Sequence, residues 1–222
     1  MGEWVELGDG HRAYRAAPPD GAGPGVLLLH AWWGLNDTFQ GLTDRLAEAG
    51  FLVVAPDLYE GVVVDTVEEA EREVERIPLT ERTGPVDAAV ASLLAETTQQ
   101  GASIGAVGFS LGAFYALEAA ASESALRAVV LFYGTGQALD WSGSQASFLG
   151  HYAEDDPFED ATWVAEHAEA IRGAGRSFES HVYPGTGHWF MEPDRDAYDA
   201  AAASLAWDRT IDFLRRTLAL GT

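Results

Sequence analysis

The stretch 105-GAVGFSLGAFYALEAA-120 decides how this chain is read. Its first half, with Ile104 in front, is an apolar run ending at Phe109; its second half, from Ala113, is rich in strong helix formers. Between them stands one serine, Ser110, flanked at two residues on either side by Gly108 and Gly112. Two glycines around a serine carry little weight alone, but strand, tight turn and helix in that order are the setting in which a serine is pushed out on a strained elbow as a nucleophile. Small residues at the flanking positions let the backbone and the following helix approach without collision. The plainer alternative is a tight turn in which residue 110 only has to be small.

Outward from the elbow, helix and strand signals alternate. Upstream, strands are expected at 3–7 and 11–15, joined as a hairpin by Asp9-Gly10. A Pro/Gly-rich segment, 16–25, then breaks regular structure before the buried run 26-VLLLH-30. The segment 37-DTFQGLTDRLAEA-49 has helical spacing and stops at Gly50, and 51-FLVVAP-56 is the next strand. Thr66 and Glu69 form a capping-box pattern opening a Glu-rich helix over 66–77, read as a solvated face. A second helical piece is expected to be interrupted at Gly84-Pro85, a candidate lid region, and to resume to about Gln99. Downstream come strands at 128–133, 146–152 and 177–183, a helix over 161–173 and a terminal helix over about 197–218. This alternation predicts an α/β fold with a mostly parallel sheet covered by helices on both faces. One domain over residues 1–222 is expected, with functional loops at the carboxyl ends of strands.

Composition narrows the chemistry. The chain of 222 residues has no cysteine, which excludes disulfides, zinc–thiolate sites and a thiol nucleophile. Its formal net charge is −22, and all 13 basic residues are arginine. Such a balance argues against nucleic acid or an anionic membrane as partner; salt adaptation and GC-biased coding both account for it. The first ten residues lack the features of a signal peptide, and no apolar run reaches the roughly 18 residues that span a bilayer. A cytoplasmic protein is the expectation.

A serine nucleophile needs a base, and the base a carboxylate. Of the six histidines, His11 and His167 are expected to be solvated, and His30, His151 and His181 to be core or near-site residues of strands. His188, in 184-PGTGHWF-190 after the last strand, is the expected base. The acid is sought in 150-GHYAEDDPFED-160, where Asp156 is preferred over Asp155 and Glu154 because Pro157 fixes a turn that can aim its side chain inward. Asp155 stays open as the alternative, as does an acidic surface loop. Oxyanion donors are expected at the N–H of Leu111 and, on the loop 30-HAWWGLN-36, of Trp32. Trp33, Tyr133 and Trp189 are the expected substrate-binding side chains. A metal site on His30, His151 and His188 is disfavoured, because no close His pair supports it.

Taken together, 29-LHAWWGLN-36, 55-APDLYEG-61, 108-GFSLG-112, 132-FYG-134, 150-GHYAEDDPF-158, 183-YPGTGHWF-190 and 207-WDRTIDFL-214 resemble the dienelactone hydrolase family of alpha/beta-hydrolases, in order and spacing, from about Val26 to Leu218. The resemblance implies an alpha/beta-hydrolase fold, Ser110, Asp156 and His188 as nucleophile, acid and base, Leu111 and Trp32 as oxyanion donors, and no cofactor. This chain departs from the family's best-known members in three places: Ser110 stands for their cysteine, Ala31 for the glutamate that partners that thiol, and Glu192 for an arginine that holds a substrate carboxylate. Arg72 or Arg76 could match another carboxylate-binding arginine. These departures imply a neutral ester, lactone or thioester rather than anionic dienelactone. The expected activity is hydrolysis of carboxylic esters or lactones by a monomer or homodimer. A peptidase, a perhydrolase or a non-catalytic small-molecule binder on the same scaffold are the alternatives.

Overall fold

In the computed structural model, residues 1–77, 83–97 and 103–218 are described. The chain folds as two compact units, Met1–Ile104 and Gly105–Thr222, and the division falls inside a strand rather than in a linker.

In the first unit, strands β1 (Glu3–Glu6) and β2 (Arg12–Ala16) form an antiparallel hairpin, β2 pairs antiparallel with β4 (Leu52–Pro56), and β4 pairs parallel with β3 (Gly25–Leu29). The hairpin turn is a short 3-10 segment, Gly8–Gly10, in which the expected Asp9-Gly10 pair takes positive φ of 59° and 79°. All five residues of β3 and all five of β4 are buried, as continuous apolar runs require. Helix α1 (Asp37–Glu48) is capped by the Asn36 side chain, which accepts from the Phe39 N–H. Helix α2 (Val67–Arg76) opens with the expected Thr66/Glu69 capping box. Its acidic face is largely solvated, with one correction: Glu73 is buried and takes the Arg76 guanidinium at 2.6 Å. Helix α3 (Thr83–Thr97) starts at Gly84-Pro85 instead of being interrupted there, since proline fits a first helical turn. Its expected end near Gln99 lies outside the described residues. Helices α1 and α3 pack on β4.

In the second unit the strand order is β5 (Ile104–Phe109, of which Gly105 onward belongs here), β6 (Leu126–Phe132), β7 (Ser147–Asp155) and β8 (Phe178–Gly187). The pairs β6/β7 and β7/β8 are parallel. Helix α4 (Leu111–Ser122) follows the elbow directly and packs on β6, as does α6 (Ala200–Leu218). Helix α5 (Ala161–Gly173) lies at the predicted bounds, capped by the Asp160 side chain on the Thr162 N–H. Two strands outrun their prediction. β7 continues to Asp155 and β8 to Gly187, so that Asp156 and His188 are each the first residue past a strand end.

Candidate active site

The elbow at Ser110 is strained. Phe109 ends β5, Ser110 stands at φ 50° and ψ −110°, and α4 begins at the next residue. A Cβ on Gly108 would come within 2.4 Å of the Gly112 carbonyl oxygen, so the turn closes only with glycine there. The Ser110 N–H donates to the Phe132 carbonyl at 2.9 Å, while its Oγ faces out towards a histidine. Among the described residues from Gly105 on, the non-glycine residues with positive φ are Ser110, Tyr133 (37°) and Trp189 (65°). All three sit at strand-end turns of one site, where backbone strain is characteristically stored.

His188 closes the constellation. Its Nε2 lies 2.9 Å from Ser110 Oγ, and its Nδ1 lies 2.9 and 2.8 Å from the two oxygens of Asp156. An ionised carboxylate only accepts, so Nδ1 carries the ring proton and donates it; Nε2 then has a lone pair free to accept from the serine hydroxyl. Both side chains of the His188–Asp156 pair are only 3% exposed. The Asp156 Oδ1 also accepts from the backbone N–H groups of Phe158 (2.9 Å) and Glu159 (3.1 Å), which holds the carboxylate in place. Asp155, the alternative acid, is the last residue of β7 and exposed, next to an irregularity in the β7/β8 register.

Around the imidazole stands an aromatic cage: Tyr133 at 4.9 Å, Phe158 at 4.9 Å and Trp189 at 5.0 Å between ring centroids. Tyr133 is fully buried and donates its hydroxyl to Glu192 at 2.7 Å. This corrects its expected role: Tyr133 supports the underside of His188 and its hydroxyl is already committed. Burial, and then the Glu192 carboxylate beside it, push the Tyr133 phenol well up. Glu192, expected only as a missing arginine, is itself fully buried. Trp189 is half-buried, and Phe158, not singled out in the sequence, is an exposed large apolar side chain beside the base. Its position directly after Asp156-Pro157 was the available signal.

The first N–H groups of α4, Leu111 among them, have no carbonyl one turn earlier to donate to, and they stand at the positive end of the helix. In the first unit, Trp32 and Trp33 lie in the turn after β3, Trp32 half-buried and Trp33 buried. Gly34 holds this loop at φ 84°, where a Cβ would meet the Val62 carbonyl oxygen at 2.3 Å, and the Val64 N–H donates to the Trp33 carbonyl. Below it, the buried His30 accepts the Leu58 N–H on Nε2 and donates Nδ1–H to the Ala31 carbonyl at 2.7 Å. His30 thus ties the ends of β3 and β4 together.

The remaining expectations divide. His30 and His151 are core residues with both ring nitrogens hydrogen-bonded, leaving neither free as a metal ligand. Among the described residues no three His, Asp or Glu side chains gather as a metal site. His181 proves half-exposed beside Glu179, because its strand pairs on one side only in the order given. His167, expected in solvent, is buried edge-on against Trp141. Arg76 is committed to Glu73 and Glu60, and Arg72 is exposed. No described helix is long and apolar enough to cross a membrane.

Comparison with known proteins bears on family and fold. The model of the dienelactone hydrolase family matches residues 11–218. A Bradyrhizobium protein named a probable 2-oxo-3-(5-oxofuran-2-ylidene)propanoate lactonase is 31% identical over 96% of this chain and 93% of its own. Protein usf of Aquifex pyrophilus is 32% identical over 98% of this chain and 100% of its own. The crystal structure of a dienelactone hydrolase-like promiscuous phosphotriesterase from metagenomic libraries superposes with a TM-score of 0.85 at 23% identity, covering 98% of both chains. With the fold and nearly the whole length matched, the chain belongs to the dienelactone hydrolase family, on the alpha/beta-hydrolase fold.

Proposed function

We propose that this hydrolase of carboxylic esters or lactones works through a covalent acyl-serine, with Ser110 as nucleophile, His188 as base and Asp156 as the acid that orients it. The observation that carries the reading is the unbroken hydrogen-bond relay Ser110 Oγ, His188 Nε2, His188 Nδ1, Asp156, at 2.9 Å and then 2.8 Å. As the serine oxygen attacks the carbonyl carbon, its proton passes to Nε2 and the imidazolium is stabilised by the buried carboxylate. The carbonyl electrons move onto oxygen, where the Leu111 N–H at the helix N-terminus is the donor. Collapse expels the alcohol, which takes the proton from His188. Water, deprotonated by the same nitrogen, then releases the acid and restores the serine. For a lactone, alcohol and acid leave as one molecule.

Phe158 and Trp189 are the substrate-facing side chains of this reading, whereas the expected Trp33 is buried, and a neutral acyl group suits a site whose catalytic histidine stands near Asp156 and Glu159. The reaction needs no cofactor. Residues 1–222 act as one hydrolase domain, supported by the family match running across the division inside β5. We place the protein in the cytoplasm, as a monomer or homodimer. The test is intact-mass labelling with a fluorophosphonate alongside p-nitrophenyl butyrate hydrolysis. Wild type is expected to take one adduct and turn over, and Ser110→Ala to lose both. Turnover retained by that variant would overturn the reading.

A further inference from the structure

We propose that Glu159 is a positioning residue of this site: its carboxylate anchors the turn that carries Asp156 to the end of β6 beside the nucleophile, and its charge acts on His188. The inference rests on the Ser110–His188–Asp156 reading above.

Glu159 lies three residues after Asp156, in the turn between β7 and α5. One end of that turn is shaped by Asp156 itself, whose Oδ1 accepts the Phe158 and Glu159 N–H groups. Its other end is held by Glu159, whose two carboxylate oxygens accept from Thr135: the backbone N–H at 3.2 Å and the Oγ1 hydroxyl at 2.7 Å. Thr135 is not a neutral anchoring point. It follows Gly134, where a Cβ would come within 2.7 Å of the Ser110 carbonyl oxygen, and Tyr133, whose ring underlies His188. The contacts therefore close a ring: Ser110 against Gly134, Thr135 to Glu159, Glu159 to Asp156, Asp156 to His188, and His188 back to Ser110. Every other polar link in that ring belongs to the relay or to backbone. Within that ring, the Thr135–Glu159 pair ties the acid turn to the segment that follows β6 beside the elbow.

The surroundings bear on charge as well as position. Burial pushes the Glu159 carboxyl up, the two Thr135 donors and the nearby His188 pull it back, and Asp156 pushes it up again. The buried Tyr152 phenol is in turn raised by burial and then by the Glu159 charge. The ionisable groups that face Glu159 are thus His188, Asp156 and Tyr152. A carboxylate placed only for solubility or as a helix cap would not be half-buried with both oxygens hydrogen-bonded. Helix α5 already has its cap in Asp160.

The experiment compares Glu159→Ala, Glu159→Gln, Thr135→Val and, as a control in the same turn, Asp160→Ala. Each is read by kcat and KM on p-nitrophenyl butyrate, by the pH profile of kcat/KM, and by fluorophosphonate labelling. Glu159→Ala is expected to lower kcat about tenfold with KM within about twofold, because misplaced catalytic groups cost rate more than binding. Glu159→Gln can still pair with Thr135 and should recover most of kcat, yet its acid limb should move about 0.3 pH units lower, since the imidazolium has lost a nearby negative charge. Thr135→Val should lower kcat without moving the limb. Asp160→Ala should lower Tm and leave both untouched.

Wild-type kcat in Glu159→Ala, or a wild-type acid limb in Glu159→Gln, would overturn the proposal while the wild type still labels and turns over. A wild type that neither labels nor turns over would instead sink the triad reading. If Glu159→Ala does not fold, the limb of Glu159→Gln and the kcat of Thr135→Val decide.

Discussion

Two regions of the second unit each hold a buried histidine with both ring nitrogens engaged, and they do opposite things with it. At the strand ends, His188 has a carboxylate on Nδ1 and a serine hydroxyl on Nε2. A few residues down the sheet, His151 has only neutral hydroxyls, Tyr183 on Nδ1 at 2.8 Å and Thr210 on Nε2 at 3.1 Å. There the proton order is set from outside. Arg209 donates to the Tyr183 oxygen at 3.1 Å, so the phenol donates to His151 Nδ1, and Nε2–H donates to Thr210. Burial, then the nearby His181 and Arg209, push the His151 imidazole well down. It is a neutral strut between strand and helix. The difference lies in the partner: a buried carboxylate lets an imidazole take a proton during turnover, and two hydroxyls do not.

The contrast is broken most severely at Asp156. Changing it to Asn keeps the shape and removes the charge that stabilises the imidazolium; kcat should fall about 10³- to 10⁴-fold, measured on p-nitrophenyl butyrate, with the protein still folded by circular dichroism. His151→Ala should do the reverse. Losing a buried ring and stranding the Tyr183 and Thr210 hydroxyls costs about 2–4 kcal/mol of unfolding free energy in urea, whereas kcat of the folded fraction should stay within about threefold.

The smallest effect sharpens the comparison through pH. His151 and His167 are both held neutral by burial, so their protons bind more weakly in the fold than in the unfolded chain. Below the unfolded value, about 6.5, the unfolded chain takes up protons that the fold refuses. Stability is therefore full above that pH and is lost as pH falls through 6.5 towards 5. Urea midpoints at pH 7.5 and 5.5 should differ, and His167→Phe should reduce that difference while changing stability at pH 7.5 by less than about 1 kcal/mol.

What could be read without coordinates follows from the range of the forces involved. Ser110 stood out because strand, glycine turn and helix follow one another within residues 105–120, and Asp156 because Pro157 beside it fixes a turn. Helix α5 was legible over the bounds it takes, 161–173. His167 was misread because Trp141, the ring it packs on, lies 26 positions upstream in a segment without regular structure, where no periodicity signals burial. The Tyr133–Glu192 bond joins residues 59 apart, and Thr135–Glu159 residues 24 apart.

By itself, then, the sequence determined the alternating fold and the elbow, and singled out the serine, aspartate and histidine that the structure brings within hydrogen-bond reach, since backbone sterics and local turn chemistry act between neighbours. Only the tertiary structure decided that Tyr133 is buried with its hydroxyl on Glu192, and that the Glu159 carboxylate accepts from Thr135. Such pairings form between residues brought together by sheet packing, and their energy depends on burial that no local pattern encodes.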